Sequence, residues 1–341
     1  MIRTACIPDR TDRTVSAARA TALFLFLLTV IPCIPVQAAD DPGGGFLSLP
    51  PSSRPALTTA GAPADRAVTP TSFYDGVARV LITTPAGTVG CTGALLNSGL
   101  HVLTAAHCLT DDTGRLAAQS ATASFFFSGG RQDVQGASYA LHPGWNGDIG
   151  HGSDIALIRL SGRAGTRGYE LFRDEEFIGG VADLAGYGDT GTGTTGSVEG
   201  SFGALRAGTN RLDTFWDIPG LPFAYDFDDG SAERDTIGNL FGVPDRGTGA
   251  SEVMTAPGDS GAPAFIDFKI AGVHSFGATF GVPFDIDNEL NDTFGELGGG
   301  TRVAPYASWV DGVVAAPEPG TFALCALGAI ALISYYRRKS R

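Results

Sequence analysis

Lysine is nearly absent from this 341-residue chain, which carries only Lys269 and Lys339. Basic residues together number 23 against 36 acidic ones, a formal net charge of −13. A surface of that sign repels nucleic acid, so a nucleic-acid partner is excluded. Long amphipathic runs are also scarce, and no internal repeat recurs at a fixed period. Glycine is abundant at 48 residues, and 43% of the chain is hydrophobic, ample for a packed core in one large domain or two halves. Short Thr- and Val-containing segments broken by glycine point to an all-β protein.

Both ends differ from the body. Arg3, Arg10, Arg13 and Arg19 precede an apolar run from Ala22 to Ile34, and Val36-Gln37-Ala38 supplies a small-x-small cleavage site. Residues 1–38 therefore read as an export signal peptide. At the other end, Pro317-Glu318-Pro319 stands before an apolar run from Phe322 to Ile333, followed by Tyr335-Tyr336 and a basic terminus. Aromatic residues and then cations after an apolar run read as a transmembrane helix with its positive end inside. Residues 317–341 resemble the PEP-CTERM sorting signal of Gram-negative bacteria, which implies processing by an exosortase-type enzyme at the cell envelope. Without both ends, residues 39–316 keep 15 basic and 33 acidic residues, a net −18.

Cysteine usage follows the same division. Cys6 and Cys33 leave with the signal, and Cys325 lies in the tail. The remaining pair, Cys91 and Cys108, reads as one disulfide in an exported protein, and two cysteines are too few for a metal site. Residues 39–71 are rich in Pro, Gly, Ala and Ser and read as a linker or pro-segment. From Phe73 onward short β-like runs alternate with turns. Residues 189–202 read as a loop, "PAFIDFKIAGVHSF" as a hairpin turning at Asp-Phe-Lys, and "VAPYASWVDGVV" as a short closing helix. Many short strands at roughly ten-residue intervals fit a sandwich or barrels.

Two acidic clusters have calcium-like oxygen ligands. One is Asp226, Asp228 and Asp229; the other is Asp285, Asp287, Asn288, Glu289, Asn291 and Asp292. Neither has EF-hand spacing, and both read as solvated acidic loops, with calcium kept open as a cofactor.

The stretch "TAPGDSGAPAF", residues 255–265, sets an aspartate before a serine between two glycines. It is either a nucleophile in an unhindered turn or an ordinary turn. A serine nucleophile requires a base, a carboxylate that orients the base, and N–H donors for the oxyanion. His107 in "LTAAHC" follows a β-like run, and Asp154 in "SDIALIRL" stands at the mouth of an apolar strand.

These three segments, in the order His, Asp, Ser at intervals of 47 and 106 residues, resemble the chymotrypsin/trypsin-like serine proteases. "CTGALL", "GYG", "SFG" and "TRVAPYASWV" add to the resemblance, which covers about residues 72–312. It implies two six-stranded antiparallel β-barrels, about 72–180 and 181–312, and a short C-terminal helix. It implies a peptidase acting on polypeptide, with Ser260 as nucleophile, His107 as base, Asp154 as its orienting acid, and Gly258 and Ser260 N–H groups as the oxyanion hole. Cys91 and Cys108 match the family's bridge beside the histidine. Asp259 takes the role of an inward carboxylate whose ion pair shapes the oxyanion loop. In the family that partner is an amine released by a cut before an Ile-Val-Gly-Gly-like start; here the region reads "SFYDGVARV". Ala262 replaces the family's usual second glycine after the serine.

The family's pocket floor falls on Met254, its wall on Ser275-Phe276-Gly277, and the opposite glycine on Gly298, after a long acidic segment. An apolar floor implies cleavage after medium or large apolar residues, while the acidic body favours basic substrates at long range. His101, His142 and His274 read as structural or exposed, and His151 as a loop neighbour of Asp154. The nucleophile elbow of other serine hydrolases fails at Ala262. The non-enzymatic alternative is a latent envelope binding protein on a protease scaffold.

Overall fold

Strand β2 (Val77–Thr84) shows why this chain builds barrels. Val80 and Ile82 are fully buried while Leu81 and Thr83 are half-exposed, the period-two pattern of a sheet with one dry face. The computed structural model describes residues 57–149, 152–174, 177–215 and 222–316. The signal segment, most of the proposed linker, the C-terminal tail and His151 lie outside the described residues.

Six strands close the first barrel in the order β2–β3–β4–β7–β6–β5. The others are β3 (Gly87–Leu95), β4 (His101–Thr104), β5 (Ser120–Phe127), β6 (Gly130–Leu141) and β7 (Ala156–Leu160). Val80, Ile82, Leu103, Ala123, Phe125 and Ile158 contribute to its core. In β4 and β7 the register pairs Thr104 with Ala156. The residues just after β4 and just before β7 are thereby neighbours.

The second half is an open half-barrel rather than a second closed six-stranded barrel. Its sheet has seven antiparallel strands in the order β11–β8–β15–β16–β17–β13–β12. These are β8 (Val181–Gly186), β11 (Arg206–Arg211), β12 (Thr214–Phe215), β13 (Phe223–Asp226), β15 (Pro263–Ile266), β16 (Lys269–Ala278) and β17 (Leu297–Arg302). The hairpin β15–β16 turns at Asp267-Phe268, both with positive φ of 49° and 61°, as a two-residue turn matched to strand twist requires. A third strand set, of four strands, stands apart: β10 (Gly196–Val198), β9 (Thr190–Thr192), β1 (Leu57–Thr59) and β14 (Val253–Met254), in that order. In this separate sheet β1 pairs with both β9 and β14.

Two expectations change here. Residues 189–202 are not a plain loop but contain β9 and β10. Residues 39–71 are not a linker throughout, because from Leu57 the chain is built into the fold. Leu57 is fully buried, and β1 pairs parallel with β9 and antiparallel with β14. Parallel pairing with a strand more than 130 residues away has no local sequence signature.

The halves share a seam of aromatic rings. Phe73 packs on Tyr74, Tyr169, Phe265 and Phe268 with centroids 4.9–5.2 Å apart. The closing helix α2 (Ala307–Ala315) buries Ala307 and Val310 against the first core. A shorter helix, α1 (Thr236–Phe241), is capped by Asp235 and ends at Gly242 in the left-handed conformation. No helix among the described residues is long and apolar enough to cross a membrane.

The acidic clusters are not solvated loops. Asp226 and Asp285 are fully buried, and Asp228 and Asp292 nearly so, whereas Asp229, Asn288 and Glu289 are exposed. Two of the carboxylates bond inward to polar groups of the surrounding loops: Asp226 accepts from Ile237 N–H at 2.7 Å, and Asp285 from the Thr279 and Thr293 hydroxyls at 2.6 and 3.0 Å. Among the described residues no three His, Cys, Asp or Glu side chains are arranged to hold a metal ion.

Candidate active site

His107 is carried by a short 3-10 turn, His107–Leu109, directly after β4 and the buried Ala105-Ala106. The next residue, Cys108, is bonded to Cys91 of β3, so the turn is tied to the barrel wall. Asp154 precedes β7 and is fully buried. The β4–β7 register brings the two together. Asp154 Oδ2 accepts from His107 Nδ1 at 2.7 Å, and Oδ1 accepts from the His107 backbone N–H at 2.8 Å. One carboxylate thus holds both the ring and its backbone. Nδ1 carries the proton, which leaves the Nε2 lone pair as the basic position. The Asp154 carbonyl is itself held by the Thr301 hydroxyl at 3.1 Å.

Ser260 sits in two consecutive turns. In the first, Ala256 to Asp259, the Asp259 N–H bonds to Ala256 O at 2.9 Å, with Pro257 second and Gly258 third at φ 95°. In the second, Asp259 to Ala262, the Ala262 N–H bonds to Asp259 O at 2.8 Å, with Ser260 second and Gly261 third at φ 83°. A positive φ at the third position is the type II pattern, which glycine alone adopts without strain. The glycines around the serine are therefore required by backbone geometry. At Gly261 a side chain would also run into Thr92 and Thr104.

Barrel one clamps these turns. The Thr92 N–H bonds to Ser260 O at 2.9 Å, and the Thr92 hydroxyl to Gly258 O at 2.9 Å. Cys108 Sγ lies 3.9 Å from His107 Nε2 and 3.7 Å from Ser260 O, so the imidazole and the serine flank the same sulfur. Among the described residues neither the Gly258 nor the Ser260 N–H is engaged in a hydrogen bond, and both residues are half-exposed. They are unused donors on the surface of the loop.

Asp259 points the other way and is fully buried. Its carboxylate accepts from Gly188 N–H at 2.7 Å and Ala256 N–H at 3.1 Å. Burial pushes its pKa up to about 8 against those two hydrogen bonds. No cation pairs with it among the described residues. A side chain at Gly186 or Gly188 would overlap this carboxylate, which explains the "GYG" segment.

The pocket residues are partly redistributed. Gly277 pairs with Gly298, Phe276 with Gly299, and Gly298 in turn with Tyr225. Ser275 lies at the β-bulge of β16 and is nearly buried. Met254 is fully buried in the second core, with Leu57, Tyr225 and Phe294, and its strand pairs with β1. Beside it lies a polar group that the sequence reading passed over. The Tyr225 hydroxyl is 2.9 Å from the Thr255 hydroxyl, and His274 packs on the Tyr225 ring at 5.6 Å. His274 directly precedes the wall segment, a signal that was available in the sequence.

The other histidines have plain roles. His101 Nδ1 is 3.0 Å from the Ser98 hydroxyl at a strand start. His142 packs edge-on against Tyr306 and Trp309.

No curated protein matches the chain. Among solved structures it is similar to neuropsin, a serine protease expressed in the limbic system of mouse brain, at 20% identity and a TM-score of 0.49, over 73% of this chain and 97% of that one. Residues 67–199 match the trypsin family model, a stretch that holds His107 and Asp154 and ends before Ser260.

Proposed function

We propose that the protein belongs to the chymotrypsin/trypsin-like serine proteases and hydrolyses peptide bonds as a serine endopeptidase. The observation that carries this reading is the double grip of Asp154 on His107, whose ring lies 3.9 Å from the Cys108 sulfur that is itself 3.7 Å from the Ser260 carbonyl oxygen. The trypsin match over residues 67–199 and the closed barrel support it.

Ser260 Oγ attacks the scissile carbonyl as His107 Nε2 takes its proton. The carbonyl oxygen becomes an oxyanion that accepts from the Gly258 and Ser260 N–H groups. Asp154 keeps the imidazole in one tautomer and stabilises its protonated form. His107 then gives the proton to the leaving amine, and a serine ester remains. Water, deprotonated by the same nitrogen, attacks the ester and releases the acid. One oxyanion donor of this kind is worth about 3 kcal/mol of transition-state stabilisation.

The test is labelling of Ser260 by a fluorophosphonate. Labelling of the native protein and none of Ser260→Ala supports the reading. A folded protein that hydrolyses peptides after Ser260→Ala overturns it.

Export through residues 1–38, and sorting of the tail 317–341 by an exosortase-type enzyme to the envelope, cell surface or medium, belong to the same proposal. A second reading, a chain latent until it is cut, is favoured by the buried Asp259 without a cation. Leu57 pairs with Thr190, two residues beyond the Gly188 that holds Asp259. An amine released near Leu57 would arrive beside that strand.

A further inference from the structure

The Nε of Arg79 is buried, and no hydrogen-bond partner meets it. The guanidinium lies over the Phe126 ring, 5.4 Å from its centroid, and the Arg131 guanidinium lies over the same ring at 5.8 Å. Two cations this close repel each other. Burial, and then Arg131, draw the Arg79 pKa below its ordinary value. Stacking uses the face of a guanidinium and leaves the N–H groups at its edge unused. A methionine would cover Phe126 without that desolvation penalty. Packing therefore does not account for arginine at this place.

A second donor without a partner faces the same spot. The Tyr187 ring packs on Phe126 at 5.8 Å, the residue is 2% exposed, and its hydroxyl has no hydrogen bond. Burial pushes its pKa up, so the hydroxyl keeps its proton, and Arg79 is among the charges that bear on it. Cross-strand pairing sets Arg79, Ser124 and Asp133 in one row over β2, β5 and β6. The row lies on the outer face of barrel one, since its neighbours Val80 and Ala123 belong to the core. The second half covers it: Gly203 N–H bonds to Tyr187 O at 2.9 Å, and a Cβ on Gly203 would stand 3.4 Å from Arg79 Nη1. Asp133 is the one carboxylate that bears on Arg79. It is already 2.7 Å from Arg131 Nε, and that pair is 42% and 41% exposed, so the cluster opens to solvent on its side. Two guanidinium groups and one carboxylate leave one positive charge over.

We propose that Arg79, Arg131 and the Tyr187 hydroxyl form an anion site that takes one carboxylate group. A carboxylate accepts from a guanidinium edge with both oxygens and balances the charge that Asp133 leaves over. A cation meets only donors, and an apolar group leaves the Arg79 Nε–H and the Tyr187 hydroxyl as dry as before. Residues 39–316 carry a net −18, so long-range repulsion opposes every anion and affinity depends on these contacts.

The test titrates the full chain at constant ionic strength with four probes. They are acetate, its neutral isostere acetamide, acetyl-Ala-Glu-Ala-amide and the same peptide with Gln for Glu. Ligand-observed NMR reads the binding. The expected result is acetate above acetamide, and the Glu peptide above the Gln peptide, each by at least about tenfold, the usual worth of a hydrogen bond to a charged group. Tyr187→Phe, which removes only an oxygen, and Arg79→Met should each weaken both carboxylate probes about tenfold and leave the neutral probes unchanged. A Glu peptide bound well above acetate identifies an acidic side chain of a polypeptide as the ligand. Equal binding of the two identifies a free carboxylate, and either result keeps the site. No preference for the carboxylate probes overturns it. Carboxylate binding that persists unchanged in folded Tyr187→Phe and Arg79→Met also overturns it, because the anion then sits elsewhere. Should Arg79→Met fail to fold, Tyr187→Phe alone decides. Neither variant touches Ser260, so fluorophosphonate labelling reports on the nucleophile independently.

Discussion

The hydroxyl of Thr92 donates to the carbonyl of Gly258 at 2.9 Å, across the boundary between the closed barrel and the open sheet. The same hydroxyl accepts from Tyr187 N–H at 3.1 Å, and the Thr92 N–H holds Ser260 O at 2.9 Å. One fully buried residue of barrel one therefore sets the pose of the loop that carries the nucleophile. Replacing Thr92 with Val keeps the shape and removes both hydroxyl bonds. Urea titration should show a loss of about 1–3 kcal/mol, the usual cost of stranding buried partners. The rate of Ser260 labelling should fall, and Thr92→Ser should restore it. Unchanged labelling in Thr92→Val would show that the clamp is not needed.

Asp154→Asn keeps the volume and can still accept at one oxygen, but it no longer imposes the Nδ1–H tautomer. A drop in kcat of about 10⁴-fold is expected, with little change in KM. Steady-state kinetics on a cleavable peptide decides it, and a loss below tenfold would contradict the orienting role.

The Cys91–Cys108 bridge spans a separation of 17 residues and ties β3 to the turn that carries His107. In the loop-entropy model its removal by Cys91→Ala/Cys108→Ala should cost on the order of 3 kcal/mol. Activity per folded molecule should fall as well, because the imidazole loses its anchor. Thermal unfolding and active-site titration on the same sample separate the two effects.

Buried acids give the protein an unusual pH dependence. Burial and mutual repulsion raise Asp213 and Asp228, and burial raises Asp259 to about 8. Each holds its proton more tightly folded than unfolded. Stability is therefore fully present below the unfolded pKa of about 4 and is lost as pH rises through the folded values. Urea midpoints should decline between pH 5 and 9, and Asp228→Asn should flatten that slope. A midpoint that rises toward pH 9 would contradict the assignment.

If a cut activates the chain, Edman sequencing of the active form should find its terminus at or near Leu57. Asp259→Asn, which removes the charge an amine would meet, should then abolish activation while the backbone bonds at Gly188 and Ala256 remain possible. Activity in an uncut chain that begins well before Leu57 would exclude this route.

Much of the site was legible because its signals are local. The glycines flanking Asp259-Ser260 announce a positive φ, the Asp267-Phe268 turn follows from the apolar runs around it, and His107 is tied by its neighbour Cys108. The burial of Asp226, Asp228, Asp285 and Asp292 was not legible, because acidic clusters look alike in sequence whether water or a wrapped loop satisfies them. His274 was likewise read as plain structure, since nothing in "GVHSFG" shows that its ring lacks a partner.

The sequence by itself determined the short strand runs, the disulfide pair and the glycine turns around the nucleophile, since each depends on residues close together in the chain. Tertiary structure alone decided that β1 would lodge between β9 and β14, that the second half would stay open, and that Tyr225, Thr255 and His274 would meet. Those contacts join segments 30 to nearly 200 residues apart. They exist only once sheet closure and burial have chosen which strand edges and polar groups face one another.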